Sequence, residues 1–135
     1  MRKKMSYQIN AKQIESIKKL IINKRYEHLI KKIADTEELW TIKMDGWFLL
    51  FGDDGGNEYI PIWPHPEYIK DFQTEEWRKS FPEKINLEDW LEKWIPGMIK
   101  DKKRIAVFPV IDQKYNIISP EEFEKDIRNE LEQYE

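Results

Sequence analysis

Large apolar residues recur at helical spacing in the first third of the chain. They form two stripes on either side of a break at Asn23, namely Ile14, Ile17, Leu20 and Ile21 in the first, and Tyr26, Leu29, Ile30 and Ile33 in the second. This spacing predicts two amphipathic helices within residues 1–35. His28 lies opposite the second stripe among charged residues, so we place it on the solvated face.

From Leu39 the pattern changes to that of β-strands. Apolar and polar residues alternate up to Asp45-Gly46, a dipeptide typical of two-residue hairpin turns. The run WFLLF at 47–51 is apolar at every position, which predicts a central strand covered on both faces. A polar loop and a third strand ending at Trp63 follow. We therefore expect a three-stranded antiparallel meander over 38–63.

The segment 64–100 carries the signals of helices. Proline suits the first turn of a short helix beginning at Pro66, and Asn86 is a suitable N-cap for a longer one. Pro96-Gly97 should interrupt or end this longer helix, because proline lacks the N–H that an interior turn requires. Its apolar residues form one stripe that we interpret as core rather than as an aromatic ligand platform: Leu87, Trp90, Leu91, Trp94 and Ile95.

The chain continues with a hairpin at 104–118, in which Pro109 indicates an edge position or a strand end. Ser119 then suits the N-cap of an acidic C-terminal helix over 119–135. We assign its buried face to Phe123, Ile127, Leu131 and Tyr134. These elements predict a single α+β domain, 1–135. An antiparallel or mixed sheet of about five strands is packed by N-terminal, central and C-terminal helices.

The composition is that of a soluble globular domain with an aromatic core. Hydrophobic residues make up 40% of the 135 residues, aromatic residues 13% and charged residues 36%. There is no cysteine, which excludes disulfides and fits a reducing compartment. The apolar runs are far shorter than the ~20 residues that span a bilayer, and the N-terminus lacks the apolar stretch of a signal peptide. We expect a cytoplasmic protein that does not enter a membrane.

Charge is unevenly distributed along the chain. Residues 1–35 hold ten basic and three acidic side chains, and residues 119–135 hold two basic and seven acidic ones. A basic segment can indicate a nucleic-acid-binding face. Because Tyr26 lies on the apolar stripe, however, no aromatic side chain is interleaved with the lysines for base stacking, and we do not expect nucleic acid as a partner. The opposite charges could attract each other between two copies, giving the homodimer that we expect, or within one chain.

The sequence contains no recognisable catalytic, cofactor or metal motif. There is no G-x-S-x-G nucleophile motif and no phosphate-binding glycine pattern. His28 and His65, the two histidines, are too far apart in sequence to suggest a zinc site, and the loop after Gly52 lacks the glycine and glutamate spacing of an EF-hand. We predict no cofactor, no metal and no catalytic residue.

The stretch PIWPHPEYI at 61–69 is the most distinctive segment. Its three prolines fix three φ angles, which predicts a stiff corner between a strand and a helix, with His65 as the N-cap or the residue beside it. We favour this structural interpretation. The functional alternative is that the corner presents Trp63, His65 and Glu67 as a ligand or partner surface.

Six segments resemble the bacterial family known as domain of unknown function 2750. They are RYEHLIKKIADTEELW at 25–40, GW at 46–47, PIWPHPEY at 61–68, WIPG at 94–97, VFP at 107–109 and SPEE at 119–122. They cover almost the whole chain in order. The family has no established activity, so the resemblance implies an architecture and no chemistry. A fainter similarity, in the order of elements alone, is to the amino-terminal domain of SseB-type proteins, which implies a compact α+β domain.

The sequence therefore favours a non-enzymatic protein-binding or regulatory module. The abundance of aromatic residues would leave one apolar patch exposed for a protein partner or a second copy. One alternative is nucleic-acid binding through the basic N-terminal helices, and another is a small enzyme with a pocket at His65. An immunity-type role rests on analogy alone.

Overall fold

The computed structural model describes residues 9–133, so the role predicted for Tyr134 and the sequence features of residues 1–8 lie outside it. The α+β class is confirmed, but residues 9–133 contain seven strands in two sheets rather than about five strands in one. The first sheet has the order β2-β1-β5, formed by β1 (Glu38–Met44), β2 (Trp47–Phe48) and β5 (Phe81–Asn86). The second has the order β3-β4-β6-β7, formed by β3 (Phe51–Gly52), β4 (Glu58–Ile62), β6 (Arg104–Val107) and β7 (Asn116–Ile118).

The helices begin with α1 (Ala11–Lys18) and α2 (Ile22–Thr36). Two 3₁₀ segments, Pro66–Phe72 and Glu75–Trp77, follow the PHP corner. A continuous helical stretch then consists of α3 (Leu87–Asp89), a π-helical turn (Trp90–Trp94) and α4 (Ile95–Asp101), and the chain continues to α5 (Pro120–Glu132). Predicted N-caps are confirmed, since Asn86 accepts from the Asp89 N–H at 2.8 Å and Ser119 from the Glu122 N–H at 3.1 Å.

The predicted three-stranded meander is wrong, because the run WFLLF divides between the two sheets. The turn at Asp45-Gly46 is confirmed, with positive φ at both residues. After Phe48, however, the chain leaves the first sheet and joins the second at Phe51. An apolar run cannot distinguish one covered strand from two short ones, since hydrophobicity alone does not record where pairing stops.

Two further strand predictions need correction. The segment 64–100 is not wholly helical, since β5 pairs antiparallel with β1 along its full length. Its Pro82 is tolerated because β5 is an edge strand. In the predicted hairpin, β6 and β7 do pair antiparallel, but β6 also pairs in parallel with β4 and is therefore an inner strand. Pro109 accordingly marks a strand end and not an edge.

An antiparallel bridge between Trp40 and Trp63 ties the two sheets together. Each residue donates its backbone N–H to the carbonyl of the other at 2.9 Å. The buried core extends across both sheets and their helices. Its wholly buried large side chains include Leu29, Ile33, Leu39, Ile62, Trp90 and Phe123.

The basic and acidic ends of the chain meet within one molecule. Helix α2 packs against α5, and the Tyr26 hydroxyl donates to the Asp126 carboxylate at 2.6 Å. Burial and this hydrogen bond raise the pKa of Tyr26 far above its usual range. Helix α2 of the basic segment and helix α5 of the acidic segment therefore contact each other within one chain, and the homodimer stays a prediction.

Helix α2 also corrects the placement of His28. Its side chain is half-buried, and its ring lies 6.3 Å from that of Phe108. Burial, with a smaller effect of Lys32, lowers the pKa of His28 to about 4. The prediction of a solvated face was wrong, because the loop after β6 covers a side of the helix that the apolar stripe alone leaves open.

Arg25 is the least expected part of the core. It is 2% exposed, and its guanidinium donates to the backbone carbonyls of Phe108, Leu20 and Lys114 at 2.6–3.2 Å. These bonds tie α2 to the segment between β6 and β7. Burial lowers the pKa of Arg25 from its usual value, although an arginine of this kind stays charged.

Candidate functional site: an aromatic groove

The structure places the three sequence-predicted site residues at one corner but gives them different surroundings. Trp63 is completely buried, and its indole N–H donates to the Pro109 carbonyl at 2.8 Å. His65 is confirmed as the N-cap of the first 3₁₀ segment, since its Nδ1 accepts from the Glu67 N–H at 3.1 Å. The Glu67 carboxylate pairs with Lys70 at 2.7 Å. Trp63 cannot contact a partner without local unfolding, and the surface role of the corner stays a prediction.

A groove of about 420 Å³ lies elsewhere, between the β1–β2 hairpin and the helical stretch at 87–101. Its walls are mostly apolar: Trp47, Phe48, Leu50, Ile60, Trp94, Gly97 and Met98. Lys93, Asp101 and Lys103 stand at its rim. The volume falls within the range of ligand pockets, roughly 300–1,000 Å³, and the mixture of apolar walls and a few charged groups is typical of binding sites.

The hairpin wall carries unusually exposed aromatic residues. Trp47 is 77% exposed and Phe48 is 38% exposed, although the sequence pattern predicted both to be covered. Phe48 and Phe81 are both paired in register with Lys43, one from each neighbouring strand, so the three side chains lie on the same face of the first sheet. The Lys43 ammonium lies 5.0 Å from the centre of the Phe48 ring. One cation thus stands between two partly exposed aromatic rings.

The helical wall is shaped by the π-helical turn. Trp90 is fully buried and confirms the predicted core stripe, whereas Trp94 is half-buried and lines the groove. The two indoles stack with centroids 5.7 Å apart, and Phe48 meets Trp94 edge-to-face at 4.8 Å. Trp94 is therefore held by a buried ring of the core, and it in turn contacts Phe48 on the opposite wall.

Pro96 does not end this helix, contrary to one of the predicted outcomes. The Ile95 N–H bonds to the Trp90 carbonyl in the π-helical pattern, and α4 then begins with Pro96 in its first turn, where proline is tolerated. The helix ends instead at Lys102, whose left-handed φ of 58° closes it.

Gly97 lies in α4 and lines the groove. A Cβ at this position would meet no atom within 4 Å, so close packing does not demand glycine here. Glycine inside a helix is less favourable than alanine by roughly 0.5–1 kcal/mol. The open space above Gly97 belongs to the groove, and any larger side chain would narrow it.

The charged groups at the rim have different surroundings. Lys103 pairs with Glu58, and Lys93 pairs with Asp89 at 3.5 Å. Lys43 forms no ion pair with any acid in the described range 9–133. It is therefore the cation beside the groove best able to meet a carboxylate from outside.

The loop at 52–57 is a β-hairpin connection, as predicted. The Asp53 carboxylate accepts from the Gly55 N–H at 2.9 Å, the Asn57 N–H at 3.1 Å and the Tyr59 hydroxyl. These bonds, led by that of Tyr59, lower the pKa of Asp53 to about 2. Within residues 9–133, no three histidine, aspartate or glutamate side chains are grouped so as to hold a metal ion.

Comparison with protein families identifies a match over residues 26–127, which includes both walls of the groove. The chain belongs to the DUF2750 family. Its members are described as proteins of unknown function. No curated protein and no solved structure matches the chain. The resemblance read from the sequence is therefore confirmed for DUF2750. In the described part of this DUF2750 protein, no helix is long and apolar enough to cross a membrane.

Proposed function

We propose that this DUF2750 protein is a non-enzymatic binding module whose aromatic groove holds a large apolar side chain of a partner protein. The observation that carries the proposal is the 77% exposure of Trp47 at the wall of an otherwise apolar groove. Exposed tryptophan is uncommon on surfaces without a partner and is enriched where binding energy is concentrated.

The charge beside the groove favours a carboxylate in the partner. Lys43 lies between Phe48 and Phe81 without an acidic partner in the described range. An acidic residue next to the inserted apolar side chain would pair with Lys43 while the apolar group contacts Trp47 and Trp94. We therefore propose a partner segment in which leucine or phenylalanine stands next to aspartate or glutamate.

The groove competes with the corner at His65 as the partner surface. The groove has a volume and several exposed aromatic residues, whereas the Trp63 indole at the corner is fully buried. We favour the groove for this reason. The homodimer expected from the sequence is a competing occupant of the same surface. The nucleic-acid and enzyme hypotheses gain no specific observation from residues 9–133.

Titration of ¹⁵N-labelled protein with short capped peptides tests the proposal. One set carries Asp-Phe or Asp-Leu and the matched set carries Lys-Phe or Lys-Leu. We expect shifts confined to the groove, with the aspartate peptides binding roughly threefold to fivefold tighter, as for one exposed ion pair. Filling the groove with Gly97→Leu should abolish the shifts, whereas Ile111→Ala, which removes another exposed apolar side chain, should not.

Sedimentation of the same variants separates a partner protein from a second copy. A dimer at low and high salt that dissociates in Trp47→Ala would show that the groove binds another copy of the chain. Peptide shifts that persist in Gly97→Leu would contradict the groove as the binding site.

A further inference from the structure

A second cavity, of about 580 Å³, lies where α1 meets α2. It is bounded by the α1–α2 junction and by the loop between β6 and β7. Three basic residues, Lys19, Arg25 and Lys114, line it, together with the amides Asn23, Gln113 and Asn116. Its lining contains no acidic residue. Asp112 precedes Gln113 in the loop but is not part of the wall.

The central feature of this cavity is a buried positive charge without a negative partner. Besides its three carbonyl acceptors, Arg25 donates through Nη1 to the Gln113 side-chain oxygen at 3.2 Å. All four acceptors are neutral, and no carboxylate within residues 9–133 pairs with Arg25. Of the five guanidinium N–H groups, one on Nη2 has no acceptor in that range.

Buried charges in proteins are normally paired, because removing an ion from water without a counter-charge costs several kcal/mol. Carbonyl dipoles reduce this cost for Arg25 but leave the net charge uncompensated. Lys19 and Lys114, which are both exposed, add to the positive potential, so this open cavity carries positive charge without a negative counterpart in its lining.

The amino-terminal end of α2 faces the same cavity. The helix extends over Ile22–Thr36, and its N-cap, Ile21, has no side chain able to accept from the first turn. The first turn contains no acidic residue. The first backbone N–H groups of a helix lack intrahelical acceptors and carry a partial positive charge. Ile21, Ile22 and Asn23, which begin this helix, all line the cavity.

We propose that this cavity binds a small oxyanion, a phosphate or a phosphate monoester, between the Arg25 guanidinium, the first turn of α2 and the two lysines. The anion supplies the counter-charge that Arg25 lacks and accepts its remaining N–H. A phosphate oxygen accepts bonds from guanidinium and backbone N–H groups together, which is the combination that the cavity offers. The volume exceeds that of a phosphate group and leaves room for the organic part of a monoester.

Thermal unfolding in sodium phosphate and in sodium chloride at equal ionic strength tests this site, with inorganic phosphate as the probe. We expect phosphate to raise Tm by about 5 °C at ten times its Kd. Lys114→Gln, which removes one charge and leaves the backbone acceptor of Arg25, should weaken phosphate binding roughly fivefold. Lys31→Gln, on the same helix but outside the cavity lining, should bind phosphate as the unmodified chain does.

In a second variant, a side chain of the protein itself supplies the negative charge. Asn23→Asp places a carboxylate in the first turn of α2, beside the cavity that Arg25 lines. We expect a higher Tm in chloride and no further rise in phosphate, since the counter-charge is already present. Because this variant gains stability, loss of the phosphate response cannot be attributed to misfolding.

Three results would overturn the proposal. The first is a Tm that does not distinguish phosphate from chloride, and the second is an equal phosphate response in Lys114→Gln, Asn23→Asp and Lys31→Gln. The third is binding of a single-stranded oligonucleotide that phosphate does not displace, which would assign the basic segment to nucleic acid. Displacement of a fluorescent phosphate monoester by inorganic phosphate, lost in Asn23→Asp, would support a small-molecule site.

Discussion

Trp63 and Trp47 show opposite uses of the same side chain within one small fold. Trp63 follows β4, is completely buried, bonds through its indole N–H and packs near Phe72 with ring centroids 5.4 Å apart. Trp47 begins β2, is 77% exposed and stands at the wall of a groove. The conspicuous proline-rich sequence belongs to the first, and an ordinary hairpin belongs to the second.

The difference teaches that a distinctive sequence can reflect a structural requirement. Three prolines and a capping histidine stiffen the corner so that β4 can pass directly into a 3₁₀ segment, and this leaves Trp63 no exposed surface. At the hairpin, the two-residue turn positions the backbone of Trp47, and the indole ring remains in contact with solvent. The exposed fraction of the tryptophan side chain distinguishes the two sites more clearly than the distinctiveness of the surrounding sequence does.

Replacing each tryptophan with alanine is the most direct test of the difference between Trp63 and Trp47. Trp63→Ala should lower the free energy of unfolding by about 3–5 kcal/mol, because it leaves a cavity and an unpaired Pro109 carbonyl. Trp47→Ala, the same truncation at an exposed site, should change it by less than about 0.5 kcal/mol. Urea denaturation measures both. Similar losses in the two variants would show that Trp47 is part of the core.

Lowering the pH should reduce the free energy of unfolding through protonation of His28. Its folded pKa of about 4 lies below the unfolded value near 6.5, so the unfolded chain binds the proton more tightly. The contribution is fully present above pH 6.5 and is lost as the pH falls toward 4. We expect a loss of roughly 2 kcal/mol at pH 5.

A matched substitution isolates this effect. His28→Gln cannot titrate, so the difference in unfolding free energy between the two proteins should change over pH 7 to 5. A constant difference across that range would show that His28 is solvated and that the contact with Phe108 does not restrict its protonation.

Gly97→Ala tests whether the groove beside Trp47 is the binding site. The added methyl group meets open space, and alanine favours the helix, so we expect unfolding to cost about 0.5–1 kcal/mol more. The same methyl narrows the groove and should weaken the binding of the aspartate peptides. A stabilised protein with unchanged peptide affinity would place the binding site away from Gly97.

His65→Asn should have the smallest effect. Asparagine retains an N-cap acceptor for the Glu67 N–H, so stability should change by less than about 1 kcal/mol and partner binding should persist. Thermal unfolding and peptide titration measure the two properties. A variant that folds normally but binds nothing would reveal the corner as the functional surface.

Elements defined by local signals were predictable from the sequence. The caps at Asn86 and Ser119, the turn at Asp45-Gly46 and the corner at His65 each depend on residues within a few positions of one another. Strand pairing was less accessible, because β5 pairs with β1 across a long separation and its Pro82 hides the strand pattern.

The candidate site was not predictable, for a similar reason. The groove brings Trp47 and Trp94 together from two segments, and nothing in either segment alone shows which face the other will leave uncovered. The sequence also gave no indication that Arg25 is buried, because a charged side chain usually indicates exposure. The carbonyls that bury it come mainly from the distant segment at 108–114. The apolar stripe of α2 does not include Arg25, so the sequence pattern gave no signal of these contacts.

The parallel pairing of β4 with β6 has a consequence for the order in which the chain folds. Ile62 pairs with Val107, so about forty-five residues must be brought into a closed loop before the second sheet is complete. The β1–β2 hairpin closes across only two residues and can form early. We therefore expect amide protection in refolding to reach β1 before β6, and pulse-labelled hydrogen exchange that protects β6 first would contradict this order. Until β6 docks, the Pro109 carbonyl that binds the Trp63 indole is not in place, so the stiff corner is among the last parts of the molecule to become rigid.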